Sequence, residues 1–384
     1  MSPPTRILVA PDKFKGTLTA VRAAAAISSG VLRAVPDARI RELPVADGGE
    51  GTVDAVVAAG GQRHRTTAVD PLGGQVQADW ASIRDWAVIE LAAASGLQLV
   101  EPSTATAGTA HTTGTGQLVR AALDAGFRRI AVGLGGSAST DGGSGLLSEL
   151  GARFTDHDGS PVHPGGAGLT RIEAVDLAGL DPRLTESELV VCCDVATPLL
   201  GQAGAAAVFG PQKGADPSGV AMLESSLRRF AHVMLVGTGR DAAGIGWGGA
   251  AGGAAGGLYA ALGAGYESGF DRVAGLLDLD SRLADADLVV VGEGRLDHQS
   301  LTGKAPVALA RRARAHGVPA VAVVGALEVD AGTLAAEGIV AAASARELGG
   351  AAALAEPVRW VARAAERAIH AYLDPGARFS ARPA

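Results

Sequence analysis

The chain has 384 residues, 47% of them apolar and 19% charged, which is enough for two globular domains at roughly 100–200 residues each. Its net charge of −7 at pH 7 gives no sign of a basic surface for nucleic acid or for acidic membranes, and neither partner is expected. The opening MSPPTRILVA has no basic region followed by a long apolar core, so no signal peptide is expected and the cytoplasm is the expected compartment.

The first 60 residues read as two β/α units. RILVAPD is an apolar run ending in a polar loop, followed by a helix expected over residues 17–34 that stops before Pro36. RIRELPVADGGEGT repeats the plan and leads into a helix over residues 52–59. RTTAVDPLGG, QVQADWASI and WAVIEL come next, short runs broken by turn residues that predict antiparallel strands. Helical segments follow at residues 117–125 and 222–233. The adjacent Cys192 and Cys193 lie in the apolar run ELVVCCDVAT and read as core thiols of a reducing compartment. Residues 242–266 are uncharged and include ten glycines. Gly and Ala bury too little apolar surface for a membrane span, so none is expected. The last hundred residues return to the β/α rhythm: ADLVVVGEG, a helix at residues 306–315, PAVAVVGAL, GIVAAAS and a closing helix at residues 356–372. The expected architecture is α/β. A flavodoxin- or Rossmann-like parallel-sheet domain forms from residues 1–65 plus 286–384. A mixed α/β domain, residues 66–285, is inserted in it, with the active site in the cleft between them.

Only four lysines (Lys13, Lys15, Lys213 and Lys304) stand beside 29 arginines, and all four lie in Gly-containing loops. A compact ammonium can meet a single phosphate oxygen where a guanidinium fork does not fit, so at least two of them are expected to contact phosphate or carboxylate. The loop GLGGSASTDGG follows a strand at residues 129–132 and presents Gly135, Gly136, Ser137, Ser139, Thr140, Asp141 and Gly142. Glycines with hydroxyls at a helix start make a phosphate cradle, with Asp141 placed to hold magnesium or to cap the helix. PVADGGEGT sets Asp47 and Glu50 around a Gly pair after a strand, APDKFKG does the same with Asp12, Lys13 and Lys15, and Asp194 ends ELVVCCD. VVVGEGRLDHQSLTGKAP crowds Glu293, Arg295, Asp297, Gln299, Ser300 and Lys304 between a strand and a helix. It is not a P-loop, because Lys304 is followed by Ala305. The histidines lack paired zinc spacing, and no Gly-x-Ser-x-Gly elbow is present.

PDKFKGTL, PVADGGEGT, HTTGTGQL, GLGGSASTDGG, GPQKGA, GAAGGAAGG and GEGRLDHQSLTGK resemble, in this order, the motifs of the bacterial glycerate kinases of the glycerate 2-kinase, tartronate-pathway type. The resemblance spans nearly the whole chain. It implies transfer from ATP, with Mg2+, to a hydroxyl of D-glycerate, usually giving 2-phosphoglycerate. Gln117 stands where the family commonly has Glu, and Gln62, Arg63 and His64 match no pattern of the family. For that reaction Asp194, Asp47, Lys13 and Asp297 are the catalytic candidates. Asp141 and Asp297 are the candidates for the metal, and residues 135–142 for the nucleotide phosphates. Asp12, Lys15, Glu50, Glu293, Arg295, Gln299, Ser300 and Lys304 are left for substrate.

Two other readings stand beside it. Gly133-x-Gly135-x-x-Ala138, with Asp156 further on, is a form of the dinucleotide fingerprint of an NAD-dependent oxidoreductase, although Asp141 would bring negative charge to the pyrophosphate. A non-catalytic anion-binding protein is the other. The oligomeric state is open, a homodimer being one option.

Overall fold

The structure is a computed structural model describing residues 5–194 and 196–374. Its strands are β1 (Arg6–Pro11), β2 (Arg39–Glu42), β3 (Gln62–Val69), β4 (Gln75–Ile83), β5 (Trp86–Glu90), β6 (Arg129–Gly133), β7 (Arg153–Thr155), β8 (Ala174–Asp176), β9 (Glu188–Cys192), β10 (Gly265–Glu267), β11 (Leu288–Leu296), β12 (Ala320–Leu327) and β13 (Ile339–Ser344). The chain divides into one unit of Met1–Asp47, Asp54–Gly60 and Phe270–Ala384 and a second of Gly48–Val53 and Gly61–Gly269.

The first unit holds a parallel sheet in the order β13-β12-β11-β1-β2. Its central strands are apolar along residues 7–10, 288–291 and 320–324 because both faces are covered there. Ile7, Val9, Val290 and Val323 pack with the helices Ala20–Ala34 and Pro357–Leu373. Leu8, Ala10, Val291 and Val324 point the other way, toward the helix Ala305–Ala315. Each of the valine, leucine and isoleucine side chains among them contributes about 1.5–3 kcal/mol on burial. The helix after β1 starts at Ala20 rather than at Thr17, because Phe14 and Leu18 exchange backbone hydrogen bonds of 2.9 and 3.0 Å in a turn and Thr19 caps the helix. Residues 270–283 fold with this unit: Phe270, Val273, Leu277, Leu279 and Leu283 enter the core beneath β11.

In chain order the five strands follow the flavodoxin-like 2-1-3-4-5 pattern. The order reverses between β1 and β11, and ligands of open α/β sheets bind beyond the carboxyl ends of the strands at such a reversal.

The second unit has a mixed sheet, β10-β9-β6-β5-β4-β3, in which β3, β4 and β5 run antiparallel and β5, β6, β9 and β10 parallel. Cys192 and Cys193 are buried there. The glycine-rich residues 242–266 form turns and the helix Ala254–Leu262. Its small residues admit the loop after β6, and a Cβ on Gly257 would collide with the carbonyl of Gly142. Among the described residues no helix is long and apolar enough to cross a membrane.

Candidate active site

The carboxyl ends of β1 and β11 carry the densest group of charged side chains that the sequence singled out. Asp12 follows β1, is nearly buried, and its Oδ1 accepts from the backbone N of Lys13 at 2.6 Å, with Lys13 Nζ at 3.9 Å. Glu293 lies within β11 and is 7% exposed, and its Oε1 is buried with no hydrogen-bond partner. Burial pushes its carboxyl up to about 7, against the Ser300 hydroxyl and the Lys304 ammonium, while the charges of Asp12 and Asp297 add to the rise. A buried carboxyl that titrates near neutrality is what proton transfer at pH 7 requires.

The loop beyond β11 is ordered around Asp297. Its Oδ1 accepts from Gln299 N at 2.9 Å and Ser300 N at 3.1 Å, and Asp297 N donates to the Ser300 hydroxyl at 3.2 Å. Arg295 Nε lies 3.3 Å from Asp297 Oδ2, and Lys304 Nζ lies 3.9 Å from Oδ1. These donors hold the carboxyl of Asp297 below the usual range, against the effect of desolvation. Both oxygens of Asp297 are therefore engaged within the protein. It sets the loop and lies beside two cations. Ser300 is fully buried beneath this loop, and Gln299 is exposed. Lys15 is exposed after β1.

The glycine loop of the second unit differs from the open cradle the sequence suggested. Gly135 is half-buried and Gly136 exposed, whereas residues 137–147 are all buried, Ser137, Ser139, Thr140, Asp141 and Gly142 among them. Gly133 packs on the carbonyl of Gly48, so the turn of PVADGGEGT lies against the loop. Asp141 is fully buried, and its carboxylate accepts from Thr112 N (2.9 Å), Thr112 Oγ1 (2.8 Å), Gly143 N (3.0 Å) and Gly145 N (3.2 Å). Four donors thus meet its two oxygens and tie the loop to Thr112 and to the start of the helix Ser144–Glu149. Lys213 is buried beside it and donates to Ser137 Oγ at 3.0 Å and to the Ser139 carbonyl at 2.5 Å. Burial pulls its ammonium down to about 8, against the charge of Asp141. The hydroxyls of Ser139 and Thr140 are buried without partners.

Asp194 follows β9 and is exposed rather than buried, accepting from Ser268 Oγ at 2.8 Å and Gly269 N at 2.9 Å. Asp47 is half-buried and Glu50 exposed on the turn before the helix Thr52–Ala58. The dinucleotide reading fails on Asp156, which follows β7 at a hairpin. It accepts from the backbone N of Asp158 and of Ser160, both at 3.0 Å, and pairs with Arg171 at 2.9 Å. A carboxylate spent on a turn does not bind a ribose.

The model of the glycerate kinase family matches residues 7–373. The chain belongs to the glycerate kinase family. It is 42% identical to glycerate kinase of Bacillus subtilis over 340 residues, covering 87% of this chain and 88% of that relative. It is 41% identical to glycerate 2-kinase of Escherichia coli over 338 residues, covering 87% and 88%. The crystal structure of a candidate glycerate kinase 2 from Salmonella typhimurium LT2 superposes with a TM-score of 0.83 at 39% identity, over 98% of this chain and all of that one.

Within this glycerate kinase fold, three groups escaped the sequence reading. Thr112, from HTTGTGQL, clamps Asp141 and accepts from Leu146 N at 2.9 Å. Lys213 was visible as a rare lysine but not as a buried clamp. Arg346, beyond β13, has no motif around it and would be found only from the fold.

Proposed function

We propose that the protein phosphorylates D-glycerate with ATP, giving 2-phosphoglycerate and ADP, in the cytoplasm. The observation that supports this best is Glu293: a buried carboxyl titrating at about 7, with a lone oxygen, at the strand-order reversal between Lys304 and Asp12. In this reading Lys304 and Lys13 receive the substrate carboxylate, and Glu293 accepts the proton of the 2-hydroxyl. The hydroxyl oxygen forms a bond to the γ-phosphorus of ATP as the bond to the β,γ-bridging oxygen breaks, and that oxygen departs with ADP. Proton transfer is late in a loose transition state, so Glu293 serves first to orient the hydroxyl. Arg295 and the loop set by Asp297 supply positive charge where it builds on the phosphoryl oxygens. Magnesium enters as the counter-ion of ATP rather than on Asp141 or Asp297, whose carboxylates are engaged within the protein. The 2-hydroxyl is chosen because the relative from Escherichia coli is described as a glycerate 2-kinase.

The test is ADP release that depends strictly on D-glycerate, with the product fed to enolase alone. Enolase dehydrates 2-phosphoglycerate directly, so an enol product without added mutase supports the 2-position. ATP consumption that ignores glycerate would refute the reading, and a product that needs a mutase would move the phosphoryl group to the 3-position.

A further inference from the structure

A cavity of about 630 Å3 opens at the carboxyl ends of β11 and β12 in the first unit, on the side of the helix Pro357–Leu373. That volume lies in the roughly 300–1,000 Å3 range of small-molecule sites. Its floor is Gly294 and Gly325, and its apolar wall includes Phe14, Ala353 and Val361. Leu354 lines it too and is 75% exposed, a large apolar side chain left in water at the edge of the cavity. Three cations reach the same space, Lys15, Arg295 and Arg346, and no acidic residue lines it. Arg295 also pairs with Asp297 and, at 3.9 Å, with Glu328. Lys15 and Arg346 have no ion-pair partner among the described residues. Unpaired cations over an apolar slot suit a ligand with a flat apolar end and a polyanionic tail.

We propose that this cavity is the nucleotide site, with the adenine against Phe14 and Leu354 and the phosphates on Lys15, Arg295 and Arg346. The assignment rests on the ATP-dependent reading above. Arg295 joins the two halves of that reading, because it lines the cavity and, two residues after Glu293 in β11, pairs with Asp297 of the loop beyond. A larger groove of about 1170 Å3 in the same unit is lined only by side chains of helices, away from the strand ends, and one of its arginines, Arg33, is paired with Glu366 at 2.9 Å. It has no strand-end glycine, and an acidic residue, Glu366, lines it.

The experiment is calorimetric titration of the magnesium complex of AMP-PNP, a non-hydrolysable ATP analogue, and separately of D-glycerate, into wild type and two variants. Arg346→Glu reverses one cation, and Ala351→Trp places an indole in the mouth from an exposed position. Both are expected to weaken AMP-PNP at least about tenfold while D-glycerate binding stays within about twofold and thermal melting is unchanged. Wild-type AMP-PNP affinity in either variant would overturn the assignment and leave the kinase reading standing. A wild-type protein that binds no AMP-PNP and consumes no ATP would overturn both.

Discussion

Replacing Glu293 by Gln separates stability from activity in a way that depends on pH. The carboxyl is raised from an ordinary 4.5 to about 7 by burial. At about 1.4 kcal/mol per tenfold, ionising it inside the fold costs roughly 3 kcal/mol. An acid whose folded value is raised binds more protons folded than unfolded between those two values. Stability is therefore retained below pH 4.5, falls as pH rises through about 7, and is lowest above it. Gln carries no charge and removes this slope. The variant is expected to be more stable than wild type by about 2–3 kcal/mol at pH 8.5 and by less than about 1 kcal/mol at pH 5, as read from urea denaturation. Its kcat should nonetheless fall at least about 100-fold, the ordinary contribution of a proton acceptor. The wild-type kcat/KM should rise with pH around 7, and the variant should lose that rise. A stability gain equal at both pH values, or a variant with wild-type kcat, would refute the account of Glu293.

Lys304→Met should lower activity at least about 100-fold and move the rise in kcat/KM to higher pH. The ammonium helps to keep Glu293 ionised, so a profile that stays in place would show that the two groups do not communicate. Asp194→Asn is expected to lower kcat by less than about tenfold with magnesium activation unchanged, because the side chain is exposed and its Oδ1 holds Ser268 and Gly269. A loss of 100-fold or more would return it to the role of base. Asp141→Asn turns an acceptor toward four donors and should cost about 3–5 kcal/mol in folding free energy. An unchanged melting temperature with weakened magnesium activation would instead make Asp141 a metal ligand.

The contrast between the two loops shows which parts of the site the sequence could carry. The parallel sheet was legible because β1, β11 and β12 each carry a run of four or more consecutive apolar residues, as a sheet covered on both faces accommodates. The charged segments after β1 and β11 were legible as well, since charge placed directly after such a run has to lie at the strand ends. What a residue does once it is there depends on depth and on partners far away in the chain. Glu293 and Asp297 are four positions apart and chemically alike, yet one is left with a lone buried oxygen and the other is wrapped by backbone donors. Opposite perturbations follow, one carboxyl raised and one lowered. Asp141 owes its role to Thr112, 29 residues earlier, and no local pattern encodes that meeting.

Glycine explains how the loop after β6 comes to be so closely packed. Sequence uses the same residue for two opposite purposes, to let a ligand approach the backbone and to let another piece of the chain do so. Here the second use is the one observed: Gly48 approaches at Gly133, and the helix Ala254–Leu262 at Gly142. The hydroxyls that would have made a cradle, Ser139 and Thr140, are turned inward with their hydrogen-bonding capacity unused. Buried hydroxyls without partners cost free energy, and the fold keeps two of them beside a lysine that burial has brought down to about 8. At the strand ends of the first unit Gly294 and Gly325 also admit neighbouring chain, the backbone of Phe14 and Lys15 at one and the carbonyl of Gly294 at the other, but they line a cavity around which Lys15 and Arg346 have no ion-pair partner among the described residues. Burial and the presence of unpaired cations, rather than glycine itself, distinguish a place where phosphate can bind from one where the chain has already filled the room.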